Sequence, residues 1–550
     1  MRVNGSWLSC RLAVRRDSER RELRGRSRRS ERQYSSKVDR VRLAELCAAT
    51  SLFTDLGTGQ PAEHGLRTCL VAMRLAEALG LPADVCGEVF YVSLLRFLGC
   101  TADAHELAVL AGGDEVRFLA GMAPVAMGSP REEMSRMISL VAAGQRLPQR
   151  LRALARALTD SKGGERLLEA HCEVGARLAT EMGLPQRVAA ALEFAYARWD
   201  GRGVPAGVAG EDIPVSVRVS IVARDLELWA RETSNEAARQ VLERRRGHAY
   251  DPEVVDAALR IGAERLRHCQ DDLWEVVLTM EPWPQMMISG PELLRTLGAL
   301  GDYADLKIPE RSGYARRVTR VVAAAAEIAD LDAPDATTLV RAALVHDLGV
   351  VAVPVKVWRA RPQPGSANWE QVRLHPHWSA RVLARCSGLE QVAVVAGQHH
   401  ERLDGGGYPS GLTGDLGRAS GLLACAVLFD ELTSARPSAG TKRSANDVAA
   451  DMADLASRGS VGRGDVNAVL GAVGIAAPRV VVVKRPASLT EREVDVLCLL
   501  ARGETNRQIA NTLGISVKTV GAHVEHIYTK ADVRSRAAAT LFAMQHDLVG

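Results

Sequence analysis

Residues 399–409 read HHERLDGGGYP, and a worn copy of the same stretch, ARWDGRGVPAG, stands at 197–207. Set against ERLDGGGYPSG (401–411), the acid and the proline recur at one offset, Asp200 with Asp404 and Pro205 with Pro409, 204 residues apart. HCEVGARL (171–178) precedes HPHWSARV (375–382) by the same 204. Further upstream the offset becomes 250, pairing SLLRFLG (93–99) with AALVHDLG (342–349), Arg67 with Arg317 and His64 with Tyr314. Self-similarity of this kind marks tandem copies of one structural unit. The change of offset gives the first copy 46 extra residues between Gly99 and His171.

The segments around these repeats are helical in pattern. GLRTCLVAMRLAEALGLP (65–82) places apolar residues three and four apart and stops at Gly-Leu-Pro, and YARRVTRVVAAAAEIADLD (314–332) repeats the style. Aromatics are 4% of the chain while Ala, Leu, Val and Arg abound, which favours helices over sandwiches. RVVVV (479–483) is the one candidate strand, and it adjoins Lys484, Arg485 and Pro486, so it also reads as an extended linker. The expected fold is all-α: two helical domains in tandem, 41–285 and 286–475, a linker at 476–487 and a third, four-helix unit at 488–550.

Composition sets outer bounds. With 47% hydrophobic and 25% charged residues the chain reads as an ordinary globular protein, and its net charge of +4 does not by itself demand a nucleic-acid partner. The ten cysteines form no C-x-x-C pair and read as reduced core thiols. No apolar run reaches membrane-spanning length, so the expected location is cytoplasmic, without membrane contact. Residues 1–40 hold thirteen Arg or Lys against five acids. They read as a basic disordered tail, an over-extended reading frame included, in preference to a nucleic-acid-binding arm.

Imidazole nitrogens and carboxylate oxygens are ligands for divalent metals, and a bridging carboxylate can hold two ions together. The second copy carries such groups at His346, Asp347, His375, His399 and His400, beside a Gly-rich turn. HDLGVVAVP, HPHWSARVL, HHERLDGGGYP and FDELTSARP resemble the HD-GYP branch of the HD phosphohydrolase superfamily over about 300–440. That resemblance implies helical domains, bound iron or manganese and, in active members, hydrolysis of cyclic di-GMP. It also places Tyr314, His346, Asp347 and Val427 around one metal, and Asp347, His375, His399 and His400 around the other. Tyr314 stands where the family has His, Val350 where it has Lys, and Val427 where it has Asp, with Asp430 nearby. The first subsite thus lacks two of four ligands, and the expectation is one divalent metal in the second copy, with no catalytic residue assigned. In the first copy His64 and His171 remain, but Arg96 and Phe97 replace the His-Asp pair, and Ala195 and Tyr196 the His-His pair. An Arg repels a metal cation. That copy reads as structural, or as a holder of an anionic ligand through Arg96.

In the last unit, Thr490 with Glu493 forms a capping box before an apolar helix that Gly503 ends. Thr505 with Gln508 opens a short helix, Gly514 suits a turn of positive φ, and Ser516 caps a longer helix. A short helix, a tight turn and a longer helix make a helix-turn-helix, whose second helix enters the major groove. LTEREVDVLCLLARG, NRQIANTL and SVKTVGAHVEHIYTK resemble the LuxR/NarL-type DNA-binding domain over the whole unit. By that resemblance Lys518, Thr519 and His523 face double-stranded DNA, Ser516 lies near phosphate, and Asn506 and Arg507 reach the backbone. Val520, Val524 and Ile527 read as core. The final helix resembles a dimerisation helix, with Leu541 and Met544 expected on an exposed stripe of a homodimer. The unit holds seven basic and seven acidic residues, so affinity must come from placement rather than bulk charge. The leading expectation is a transcriptional regulator whose tandem domains sense a cyclic dinucleotide or other small ligand, or dimerise. A phosphohydrolase with a DNA-binding tail is the alternative, and an interaction scaffold a third reading.

Overall fold

The computed structural model describes residues 40–126, 128–143, 145–159, 163–434, 444–475 and 486–549. The basic tail before Arg40 and the RVVVV stretch lie outside them. The fold is all-α, and among the described residues the only sheet is a two-stranded one, Arg40–Arg42 antiparallel to Met287–Ser289. No helix is long and apolar enough to cross a membrane among the described residues.

The helices recur at the offsets of the sequence repeat. Leu43–Thr58, His64–Ala78 and Ala83–Leu95 return as Gly290–Leu306, Tyr314–Ile328 and Ala333–Val345. Gln186–Leu192 and Val215–Glu232 return as Glu390–Gly397 and Arg418–Ser434, and beyond the offset of 204 Pro252–Ile261 is followed in kind by Arg463–Ala472. The same tight contact closes each copy. A Cβ on Gly99 would lie 2.0 Å from the carbonyl oxygen of His171, and one on Gly349 would lie 2.0 Å from that of His375. Glycine is thus the residue that lets the turn after the first ligand pair touch the helix bearing the next histidine.

The copies share a core. Helix Leu43–Thr58 packs on the turn Leu348–Ala352 of the second copy, and the Cys100 thiol lies 3.5 Å from the Tyr303 hydroxyl. The 46-residue excess of the first copy falls in the helices between Ala104 and Thr159, where Phe118, Met122, Val125 and Val141 make a small core of their own. This insert clamps onto the second copy: the carboxylate of Glu115 accepts from the Val355 backbone N–H at 2.9 Å and sits 3.3 Å from the Lys307 ammonium.

The last unit has the four expected helices, Glu491–Ala501, Asn506–Leu513, Val517–Ala531 and Arg536–Gln545. The final helix corrects one expectation. Leu541 and Met544 are not an exposed stripe; both are fully buried. The helix packs on Gly163–Glu181 of the first copy and Gly290–Leu306 of the second. Covering each side chain contributes about 1.5–3 kcal/mol, so a face this apolar is held wherever a partner surface exists. The Ser312 hydroxyl donates to the Ala501 carbonyl at 2.7 Å, and the Arg534 N–H to the Glu173 carboxylate at 2.7 Å.

Candidate functional sites

His346 and Asp347 emerge where helix Ala333–Val345 ends, His375 opens helix His375–Leu383, and His399 and His400 follow helix Glu390–Gly397. All five are buried. Three rings are oriented alike, each through a backbone carbonyl three residues earlier: His346 Nδ1 to Ala343 (2.9 Å), His375 Nδ1 to Val372 (2.6 Å) and His399 Nδ1 to Ala396 (2.6 Å). That bond fixes the proton on Nδ1 and turns each Nε2 lone pair inward. His375 Nε2 and His399 Nε2 then face each other at 3.1 Å, and Asp347 Oδ1 lies 3.1 Å from the former and 3.9 Å from the latter. One nitrogen of each of His375, His399 and His400 falls within 4.8 Å of the others.

Lone pairs and a carboxylate oxygen converging without a proton between them repel unless a cation joins them. His346 Nε2 and Asp347 Oδ1 are buried without a hydrogen-bond partner, so the donor set fits a divalent metal. Burial pushes His346 and His375 down to about 3 and holds His399 and His400 well below the ordinary imidazole value, which keeps all four neutral.

The opposite side of Asp347 differs. Its Oδ2 takes the guanidinium of Arg311, which lies 3.7 Å over the Tyr314 ring and 4.9 Å from that of Trp358. A fixed cation therefore occupies the oxygen a second metal would use. Val350 and Val427 are buried and offer no donor, and Asp430 is bound to Arg317 at 2.9 Å, away from the histidines. Instead, Glu431 Oε1 lies 3.8 Å from His400 Nε2. The sequence reading missed Arg311 and Glu431. Glu431 was within reach of it, since it sits four residues after Val427 and so on the same helical face. Arg311 lies in a turn, where no periodicity points it anywhere.

The HHERLDGGGYP stretch is mostly architecture. The Glu401 carboxylate accepts from the N–H groups of Ser410 (2.7 Å) and Leu412 (3.0 Å), and Asp404 from that of Gly406 (2.9 Å). A Cβ on Gly407 would lie 2.4 Å from the backbone nitrogen of Arg402. The tight turn lays Tyr408 on His400, their rings stacked at 4.5 Å.

In the first copy no such cluster forms among the described residues. His171 Nε2 lies 3.2 Å from the Arg96 carbonyl, and the Arg96 guanidinium sits 5.7 Å from the rings of Phe97 and Tyr196.

The helix-turn-helix follows its sequence signals. Both capping boxes are complete, Ser516 accepts from the Thr519 N–H, and Gly514 adopts φ 66°. Val520 and Ile527 are buried and Val524 half-buried. Lys518, Thr519, Ser516 and Arg507 are exposed, while Asn506 and His523 are half-buried. Val517, 49% exposed, is an apolar neighbour of Lys518 on that surface and was not singled out from the sequence.

Comparison with known proteins agrees with this division. The family described as HD domain matches residues 131–254 and 299–458, and the luxR family of bacterial regulatory proteins matches 487–543. A 3'3'-cGAMP-specific phosphodiesterase 3 of Vibrio cholerae is 27% identical over 72% of this chain and 87% of its own length. The response regulator protein VraR of Staphylococcus aureus is 44% identical over 61 residues, 11% of this chain and 29% of that regulator. The crystal structure of a cyclic GMP-AMP-specific phosphodiesterase of V. cholerae superposes with a TM-score of 0.56 at 21% identity, covering 80% of this chain and 99% of that one. That likeness is one of fold.

Proposed function

From the premise that this chain belongs to the HD domain family and carries a luxR-type DNA-binding unit, we propose a transcriptional regulator whose tandem HD domains are its sensory input. The observation that carries the reading is the charge on Asp347: one oxygen faces histidine lone pairs, the other a guanidinium. One metal fits, and the pair used in two-metal hydrolysis does not. His375, His399, His400 and Asp347 are the proposed ligands, with His346 beside them, and iron or manganese the proposed ion. A bound ion there supplies Lewis acidity toward a phosphoryl oxygen. His346 and His399 hold their lone pairs toward it, and Tyr408 covers His400. A cyclic dinucleotide, the substrate class named for the V. cholerae relative, is the proposed ligand class of this pocket.

Lys518, Thr519 and His523 are proposed to meet base edges and phosphates in the major groove, Ser516 to bring the helix N-terminus to a phosphate, and Asn506 and Arg507 to meet the backbone. A homodimer on paired half-sites remains the proposed binding form. If it forms through the final helix, that helix must leave its present seat. The reading is tested by incubating the full chain with Mn²⁺ or Fe²⁺ and 3'3'-cGAMP or cyclic di-GMP. The expected result is metal retention that His399→Ala abolishes, without hydrolysis. Turnover that depends on His399 favours instead a phosphohydrolase with a DNA-binding tail.

A further inference from the structure

The first copy, the last unit and Leu306, Pro309 and Ser312 of the second copy line an open cavity of about 1640 Å³. Arg96, His171, Tyr196 and Arg224 line it from the first copy, and Arg534 and Arg536 from the DNA-binding unit. Arg96 is 8% exposed, and neither its Nε nor its Nη1 has a hydrogen-bond partner. It makes no ion pair among the described residues. Arg224 stands close enough to share the Phe97 ring, its guanidinium 5.7 Å from the ring centre. Asp225, the carboxylate whose charge reaches Arg96, is already divided between Arg224 and Arg245 and accepts from the Tyr250 hydroxyl. Burying a charge without a partner costs several kcal/mol, so an unpartnered guanidinium facing a cavity calls for an anion from outside. Burial, and after it the charge of Arg224, lowers the Arg96 pKa to about 10.

We propose that this cavity is a receptor site for a phosphate-bearing ligand of nucleotide size, with Arg96 and Arg224 gripping the phosphate and the DNA-binding unit forming the far wall. Paired guanidiniums match phosphate oxygens in geometry and charge. By the repeat offset Arg96 stands where His346 stands in the second copy, so one guanidinium holds the place of one proposed metal-site histidine. The volume exceeds the roughly 300–1,000 Å³ of common small-molecule pockets, which leaves room for a base or two beyond the phosphate. Phe97 and Tyr196 offer apolar rings next to the guanidiniums. Because residues on both sides of the last helix-turn-helix segment wall the cavity, an occupant touches the unit that binds DNA. The site stands on its own geometry; only its purpose rests on the regulator reading.

The test is calorimetric titration of the full, metal-stripped chain with inorganic pyrophosphate and, separately, with cyclic di-GMP. At least one probe binds, about tenfold more weakly to Arg96→Met, the loss expected for one charge-assisted contact. Without ligand, Arg96→Met melts at or above the wild-type temperature, since a buried uncompensated charge has been removed. Absence of binding by both probes, equal binding to Arg96→Met, or unfolding of Arg96→Met overturns the proposal. DNA affinity is read apart from these. A chain that binds the probe through Arg96 but no DNA keeps this site and loses the regulator reading.

Discussion

At the scale of single residues, the second copy is a set of neutral imidazoles held against their nature. His346 and His375 titrate near 3 in the fold and near 6.5 when unfolded. The unfolded chain therefore binds protons first. The stability tied to these groups is whole above about pH 6.5 and drains as pH falls toward 3, at up to about 1.4 kcal/mol per pH unit for each group. Urea unfolding of metal-free protein between pH 7 and 4 should show this, with a shallower slope in His375→Gln. Arg311→Ala leaves the buried Asp347 charge without its guanidinium and should cost about 3 kcal/mol in metal-free protein; part of that loss should return when Mn²⁺ is added, as a rise in melting temperature. The proposed ligands were legible because HDLG, His375 and the His399–His400 pair stand in the stretches that resemble the HD-GYP branch. Arg311 was not, because a turn residue acquires its role only when a helix and a carboxylate from elsewhere meet it.

At the scale of elements, the last unit was the most legible part of the chain. Its caps are local: Thr490 with Glu493, Thr505 with Gln508, and Ser516 with Thr519 bond within one helical turn, so three-residue spacing suffices to find them. Ser516→Ala should cost about 1 kcal/mol in the recognition helix, read by thermal unfolding. Lys518→Ala should weaken binding to the preferred sequence far more than to unrelated DNA, read by binding titrations against both duplexes. The final helix shows the limit of such reading. Its apolar stripe is real, but a stripe does not name its partner. Here the helix packs on Glu491–Ala501 of its own unit and also on Gly163–Glu181 and Gly290–Leu306, the last two hundreds of positions away in sequence.

At the scale of the whole molecule, two copies of an HD-type helical unit are joined to a luxR-type DNA-binding one. The tandem plan was visible because the offsets of 204 and 250 are constant over long stretches. The interlocking was not: the strand opening the first copy pairs with the strand opening the second, and the insert of the first grips the second through Glu115. Such joints leave no periodic trace. Gly313, at φ 72°, meets the Val549 carbonyl so closely that a Cβ would lie 2.6 Å from it. Gly313→Val should therefore loosen the seat of the last unit, seen as faster hydrogen exchange in Arg536–Gln545, while the capped helices before it stay protected. The central claim is that this chain reads DNA through its last unit. The most direct measurement is selection of bound fragments from random double-stranded DNA by the full chain, wild type against Lys518→Ala. A shared sequence motif enriched by the wild type and lost in the variant is the predicted result. No enrichment by the wild type, or the same enrichment by both proteins, would contradict the account.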